Sequence, residues 1–301
     1  MDEHIDSADK SGRHGSLVIV GGGEDRQHSK DVLARFVELA GGPDKKIVVI
    51  TAASKIPDEM WAIYDQAFGD LGVARRVPLH ARSRADANNA DLVRELEDAD
   101  GIFMTGGDQR RLLGMIGGTA LDTAIHRALK QRGACVSGTS AGASAMSGHM
   151  LADGKVELNP QKGAVSLGAG LGLVQRVVID QHFSERHRLA RLLAVVAQNP
   201  YLQGIGIDEN TALVVQRGIG VEVIGDGSVT IVDGRNMISN VVDIRDRGIP
   251  ELIDVRLHLL PAGCRHFLPL AAGATEPAGY REVPAPLFDF LSNIVKRTPL
   301  L

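Results

Sequence analysis

The chain is poor in the residues that mark specialised proteins. Among 301 residues there are two cysteines and one tryptophan, and aromatics make up only 4%. Cys135 and Cys264 form neither a disulfide framework nor a zinc-ligand pattern, and they fit a reducing compartment, so a cytoplasmic location is expected. No H-E-x-x-H run or clustered ligand set appears, and neither metal nor cofactor is expected. The formal net charge is only −4, which excludes a global basic field and with it a nucleic-acid partner. No apolar run reaches membrane-spanning length, and no membrane partner is expected. Residues 1–16, MDEHIDSADKSGRHGS, lack the apolar region of a secretory signal and read as a disordered tail. Internal repeats and low-complexity tracts are also missing.

What remains is ordinary for a globular enzyme, with 44% hydrophobic and 23% charged residues. Short apolar runs at 17–20, 47–50, 74–79, 101–105 and 134–136 read as strands. Helical patterns at 32–40, 57–68, 91–96 and 120–129 alternate with them. This alternation predicts a mostly parallel, doubly wound α/β sheet covered on both faces. Residues 151–170 read as a connecting stretch. A strand at 177–179 leads into a helix with Ser184 as a plausible N-cap. From 204 onward, short strands at 204–207, 212–216, 221–224 and 229–232 follow, with Asp226-Gly227 as a hairpin turn. A last strand over 255–260 and a terminal helix over 284–297 complete the pattern. No linker precedes the β-rich run, so it extends one domain, residues 17–301.

In open parallel sheets, ligands lie beyond the carboxyl ends of the strands. Three glycine-rich stretches are expected there: 21–25 (GGGED), 106–109 (GGDQ) and 138–142 (GTSAG). The first lacks the spacing of a nucleotide loop and reads as a tight turn unless it lies beside the third. The third fits the G-x-S-x-G nucleophile elbow, in which a strained turn aims Ser140 over the start of the next helix. There, unpaired N–H groups and the helix dipole favour an oxyanion. The Gly106-Gly107 turn and the Ala141 N–H are the candidate donors.

A serine nucleophile needs a base and a group that orients it. Of ten histidines, His182 stands out because it follows a buried strand directly at the expected active edge; a capping role is its bland alternative. Asp208-Glu209 ends the strand 204–207. Alternation lets only one of the two carboxylates face the site, and Glu209 is the choice. The order Ser140, His182, Glu209 differs from the Ser, acid, His order of α/β-hydrolases. Arg186, Arg188 and Arg191 follow His182, with Arg186 at the start of a helix. They either line a solvated helix face or grip substrate carboxylates, and their adjacency to His182 favours the second. Asp180 and Gln109 suit a substrate cation or amide.

The motifs GGGED, ITAAS at 50–54, GGDQ, GTSAGA at 138–143, DQHFSERHRLARL at 180–192 and GIDEN at 206–210 together resemble the cyanophycinase family. These are serine peptidases related to aspartyl dipeptidase, with a fold similar to class I glutamine amidotransferases. The resemblance covers about residues 17–235. It implies a serine-type exopeptidase that hydrolyses cyanophycin to β-Asp-Arg dipeptides, with Ser140 as nucleophile, His182 as base and Glu209 as its orienting acid. It also implies a substrate pocket lined by Gln109, Asp180, Gln181, Arg186, Arg188 and Arg191, and a homodimer. Cyanophycin is polyaspartate bearing arginine in isopeptide linkage, so each repeat offers a guanidinium and a free carboxylate. An aspartyl dipeptidase acting on short Asp peptides is the alternative activity. A non-catalytic binder on the same fold is the alternative of another class, disfavoured by the intact Ser, His and Glu set.

Overall fold

The computed structural model describes residues 15–154, 157–270 and 275–295. The expected tail therefore lies mostly outside the described residues. Gly15 and Ser16 are buried, and Ser16 already opens the first strand.

The first half follows the expected alternation. It runs β1 (Ser16–Val20), α1 (Asp31–Ala40), β2 (Lys46–Ile50), α2 (Pro57–Asp70), β3 (Arg75–Leu79), α3 (Ala90–Glu97) and β4 (Gly101–Met104). Then come α4 (Gln109–Ile116), α5 (Ala120–Gln131), β5 (Cys135–Thr139) and α6 (Ala141–Ala145). Strands β1, β2, β4 and β5 are buried along their whole length. Burial on both faces explains the unbroken apolar runs of β1 and β2, LVIV and IVVI. Alternate side chains go to opposite layers: Leu17 and Ile19 pack into one core, Val18 and Val20 into the other. The second core holds the aromatic cluster of Phe36, Tyr64, Phe68 and Phe103, with Phe36 and Phe103 ring centroids 5.6 Å apart. Helix α1 stops at Gly41, which takes the left-handed conformation that a β-carbon would disfavour. Helix α4 went unread in the sequence. Its N-cap is Asp108, whose carboxylate accepts from the N–H groups of Arg110 and Arg111.

The second half adds β6 (His149–Gly154), β7 (Val165–Ala169), β8 (Val177–Gln181), α7 (Leu189–Gln198) and β9 (Gln203–Ile207). Then follow β10 (Thr211–Gln216), β11 (Gly220–Gly225), β12 (Ser228–Asp233), β13 (Ile238–Ser239), β14 (Leu252–Ile253) and β15 (Arg256–Pro261). The last elements are β16 (Arg265–Phe267), β17 (Arg281–Glu282) and α8 (Ala285–Val295). The expected end of the terminal helix, 296–297, lies outside the described residues.

The main sheet has nine strands in the order β17-β16-β11-β10-β1-β5-β4-β2-β3. The five strands from β1 to β3 are parallel neighbours, whereas β10, β11 and β16 continue from β1 antiparallel. A second sheet, β15-β12-β9-β8, stands apart. Three expectations need correction here. Residues 151–170 do not merely connect, since β6 and β7 form an antiparallel pair with Ala152 as an extra, bulged residue. Asp226-Gly227 is not a hairpin turn, because β11 belongs to the main sheet and β12 to the second. The turn passes the chain between sheets and is held by the Asn210 carbonyl and the Thr211 hydroxyl. Ser184 caps no helix. Its hydroxyl donates to Asp208 at 2.6 Å, and α7 starts only at Leu189.

Candidate active site

The elbow sits where β5 ends between β1 and β4. In register, Val20 faces Thr139 and Met104 faces Gly138, so the carboxyl ends of the three strands are level. Ser140 takes φ 52°, ψ −111°, a conformation an L-residue holds only when its surroundings impose it. The flanking glycines are the imposing surroundings. A β-carbon on Gly138 would meet the Gly142 carbonyl, and one on Gly142 would meet that of Met104. Helix α6 has only five residues. The expected macrodipole is therefore small, and what remains is the local N–H of Ala141, in a first turn that has no intrahelical acceptor.

His182 comes from the second sheet, not the parallel one. Strand β8 lies parallel to β9 with Gln181 opposite Ile207, so His182 and the 208–209 pair emerge at the same edge. The Ser140 Oγ to His182 Nε2 distance is 2.8 Å, and His182 Nδ1 lies 2.6 Å from Glu209 Oε1. The neighbouring Asp208 points the other way and accepts from Ser184 and Ser228. Choosing Glu209 over Asp208 by strand alternation agrees with this placement.

The loop 21–25, a tight turn by its spacing alone, lies beside the elbow and at the junction of the site. Three consecutive carbonyls each accept a backbone N–H from a different arm: Val20 from Ser140 at 3.1 Å, Gly21 from His182 at 2.8 Å and Gly22 from Asn210 at 2.9 Å. Gly22 faces the imidazole of His182 where any β-carbon would collide with it, and a β-carbon on Gly23 would lie only 2.9 Å from the Glu209 carboxylate. Glu24, 3% exposed, accepts from the hydroxyls of Tyr64 and Thr139, the latter at 2.6 Å. Sequence reasoning missed Glu24. Its signal was a carboxylate next to a buried glycine turn.

A cleft of about 400 Å³ opens over Ser140. Of the expected residues it is lined by Gly107, Gln109, Gln181, Arg186, Arg188 and Arg191, joined by Arg110 and by residues 151–154 of β6. Gly106 brings its backbone against Ser140, where a β-carbon would lie 3.4 Å from that of the serine. Gln109 Nε2 donates to the carbonyls of Leu151 and Ala152, so it holds the β6 bulge at the rim. Asp180 departs from its expected role. It is 0% exposed, lies beneath the cleft rather than in its wall, and is engaged by both Arg188 and Arg191. A substrate guanidinium cannot reach it. Arg188 also donates to the carbonyl and side-chain oxygens of Gln181, and Arg191 Nη1 donates to the Gly154 carbonyl at 2.9 Å. Arg186 does not start a helix. It lies in the turn before α7, is exposed, and has no ion-pair partner among the described residues.

Burial holds the His182 imidazolium below its ordinary pKa, opposed by the hydrogen bond to Glu209 and reinforced by the nearby positive charges of Arg186 and Arg188. Burial also pushes Arg188 down to about 10, opposed by Asp180. The neutral imidazole is thus the favoured form, and that form can take a proton from Ser140. Among the described residues no three His, Cys, Asp or Glu side chains gather as a metal site, and no helix is long and apolar enough to cross a membrane.

The family model for peptidase family S51 matches residues 17–222. A cyanophycinase of Geminocystis herdmanii is 39% identical over 83% of this chain and 93% of its own length. A cyanophycinase of Nostoc sp. is 35% identical over 84% of this chain and 85% of its own. Among solved structures, a peptidase from an acI-B1 Actinobacterium superposes with a TM-score of 0.60 at 28% identity, covering 73% of this chain and 91% of that one.

Proposed function

Because the chain belongs to peptidase family S51, we propose that it is a serine-type exopeptidase that hydrolyses cyanophycin and releases β-Asp-Arg dipeptides. One observation carries this reading: the Ser140–His182–Glu209 relay opens into a cleft walled by four arginines. In the proposed mechanism Ser140 Oγ attacks a backbone carbonyl of the polyaspartate chain and passes its proton to His182 Nε2. Glu209 accepts from Nδ1–H, fixes the tautomer and stabilises the imidazolium. The backbone N–H groups of Gly107 and Ala141 meet the oxyanion. His182 then protonates the leaving amine, and water hydrolyses the acyl-enzyme with the same base.

Substrate choice falls to the cleft walls. Arg186, Arg188 and Arg191 hold carboxylates through charge-assisted bonds, Gln181 and Gln109 serve amide or guanidinium groups, and Asp180 keeps Arg188 and Arg191 in place from below. The 35–39% identity to cyanophycinases supports this reading over the general aspartyl dipeptidase. The reading also takes the parallel half of the fold as of the class I glutamine amidotransferase type, the β-rich part as an extension of the same domain, and the enzyme as a cytoplasmic homodimer.

The test is incubation with insoluble cyanophycin and mass analysis of what dissolves. β-Asp-Arg is the expected product. Ser140→Ala should stay folded and lose turnover by about a million-fold. A folded Ser140→Ala protein that keeps a tenth of the rate removes Ser140 as nucleophile, and an inert wild type removes the substrate.

A further inference from the structure

Strands β5, β4, β2 and β3 are successive parallel neighbours in the main sheet, so the turns that follow them stand in a row at its carboxyl edge. The turn after β5 carries Ser140, and the turn after β4, residues 105–108, carries the proposed oxyanion donor Gly107. The turn after β2, residues 51–54, does not line the catalytic cleft. Its Thr51 Oγ1 lies 2.7 Å from Nδ1 of His80, just past β3. From this row we infer that His80 is a positioning residue for the oxyanion hole: through Thr51 it sets the turn on which Gly107 rests. The inference rests on the proposed acyl transfer at Ser140.

Each link is a close contact. Gly107, at φ +145°, lies so near the Ala53–Ser54 peptide that a β-carbon would stand 2.3 Å from the Ala53 carbonyl oxygen. The Asp108 N–H donates to that same oxygen at 3.0 Å. A shift of the Ala53 carbonyl therefore moves the backbone that aims the Gly107 N–H. The carbonyl is held by a tight turn in which the Ser54 N–H donates to the Thr51 carbonyl at 2.9 Å. The Thr51 N–H donates to the Leu79 carbonyl at 3.2 Å, so backbone and side chain both tie this turn to the end of β3.

Thr51, His80 and Asp58 stand in the order of a second hydroxyl–imidazole–carboxylate relay, with His80 Nε2 3.6 Å from Asp58. It is no second active centre, because Thr51 is 0% exposed and a substrate cannot reach its hydroxyl. The arrangement orients instead. Asp58, itself gripped by Arg82 at 2.9 Å, favours the His80 tautomer with its proton on Nε2. Nδ1 is then an acceptor, and the Thr51 hydroxyl donates to it. Without that acceptor a buried hydroxyl is left unpaired, a cost that the turn relieves only by shifting.

His80→Asn and His80→Gln form the test. Asparagine puts an amide group where Nδ1 stood, whereas glutamine has a methylene there and carries its amide farther out. His80 is partly exposed, so a polar replacement suits the fold. The readouts are kcat and KM on cyanophycin and the rate at which a fluorophosphonate labels Ser140. The phosphoryl oxygen of that probe occupies the oxyanion hole, and labelling needs no cyanophycin. His80→Gln should lose about tenfold in both kcat and labelling rate with KM within about twofold, less than the roughly hundredfold cost of a whole oxyanion donor. His80→Asn should stay within about threefold of wild type, since the hydroxyl keeps its acceptor. Thr51→Val should follow His80→Gln, and Thr51→Ser should follow wild type. Asparagine and glutamine variants that behave alike, or a change confined to KM, would overturn the brace. A wild type that labels but leaves cyanophycin intact removes the substrate, and the labelling rates still decide the brace. A wild type that does not label removes Ser140 and the brace together.

Discussion

Glu209 and Asp208 are adjacent carboxylates with separate tasks, one set against His182 and the other tying the 184 turn to β12. The same division by environment governs His182. In the proposed mechanism its neutral form is the base, and burial places its pKa below the ordinary histidine value of 6.5. kcat/KM should therefore fall on the acid side with a midpoint below pH 6.5, as the imidazole protonates. An acid limb centred above pH 6.5 would contradict the burial argument. Glu24 makes a second prediction at this scale. Its carboxylate receives two hydroxyls, one from Thr139 beside the strained Ser140. An amide offers one acceptor and a donor, so Glu24→Gln must turn one hydroxyl round. The expected result is a kcat loss of about tenfold with KM near wild type, a magnitude typical of a small misalignment of reacting atoms. Labelling of Ser140 by a serine-directed covalent inhibitor should slow in parallel. A change in KM alone would place Glu24 in substrate binding instead.

Among the elements, the loop after β1 does more than its sequence shows. Three backbone carbonyls in a row, at Val20, Gly21 and Gly22, anchor the arms that carry Ser140, His182 and Glu209. Such an anchor must stay close to the side chains it serves, which is why Gly22 and Gly23 have no room for a β-carbon. Gly22→Ala should cut kcat by about a hundredfold or more, by displacing the His182 ring. Gly42 is a matched control, because it shares φ +102° with Gly22 but has no atom within 4 Å of where a β-carbon would stand. Gly42→Ala should carry a similar backbone penalty with activity intact. If steady-state rates of the two variants fall together, the contact with His182 is not what matters. The loop's spacing matched no phosphate-binding pattern, so its importance was not legible until β1 was seen between β5 and β10. The β6–β7 pair was hidden for a related reason: its strands are partly exposed, and the bulge at Ala152 breaks the alternation.

For the whole molecule, the second sheet is tied to the arginine segment by a buried charge cluster. Asp180, on β8, has no exposed surface and faces two arginines that are themselves nearly buried. Removing its charge leaves two guanidinium groups without compensation. Asp180→Asn should cost about 3–5 kcal/mol of stability, the range found when one partner of a buried ion pair is removed. Thermal or denaturant unfolding measures this directly. An unchanged melting temperature together with altered preference for arginine would restore Asp180 to the substrate-binding role expected of it.

By itself the sequence determined the parallel half of the fold and pointed to Ser140, His182 and Glu209, which the structure brings together. Doubly buried strands are rich in apolar residues, and a strained serine turn needs its glycines, so both leave patterns in one stretch of chain. The alternation of strand side chains likewise singled out Glu209 from Asp208. Only the tertiary structure decided what depends on contacts between distant segments. It moved His182 and Glu209 onto a second sheet, turned Asp226-Gly227 from a hairpin into a crossing between sheets, and buried Asp180 under the arginines. It also made the end of β1 and the loop after it, residues 20–22, the anchor of all three arms. Local periodicity records which face of a strand is buried, but not which strand lies beside it. Nor can a row of charges show whether its partner is a substrate or a carboxylate of the same chain.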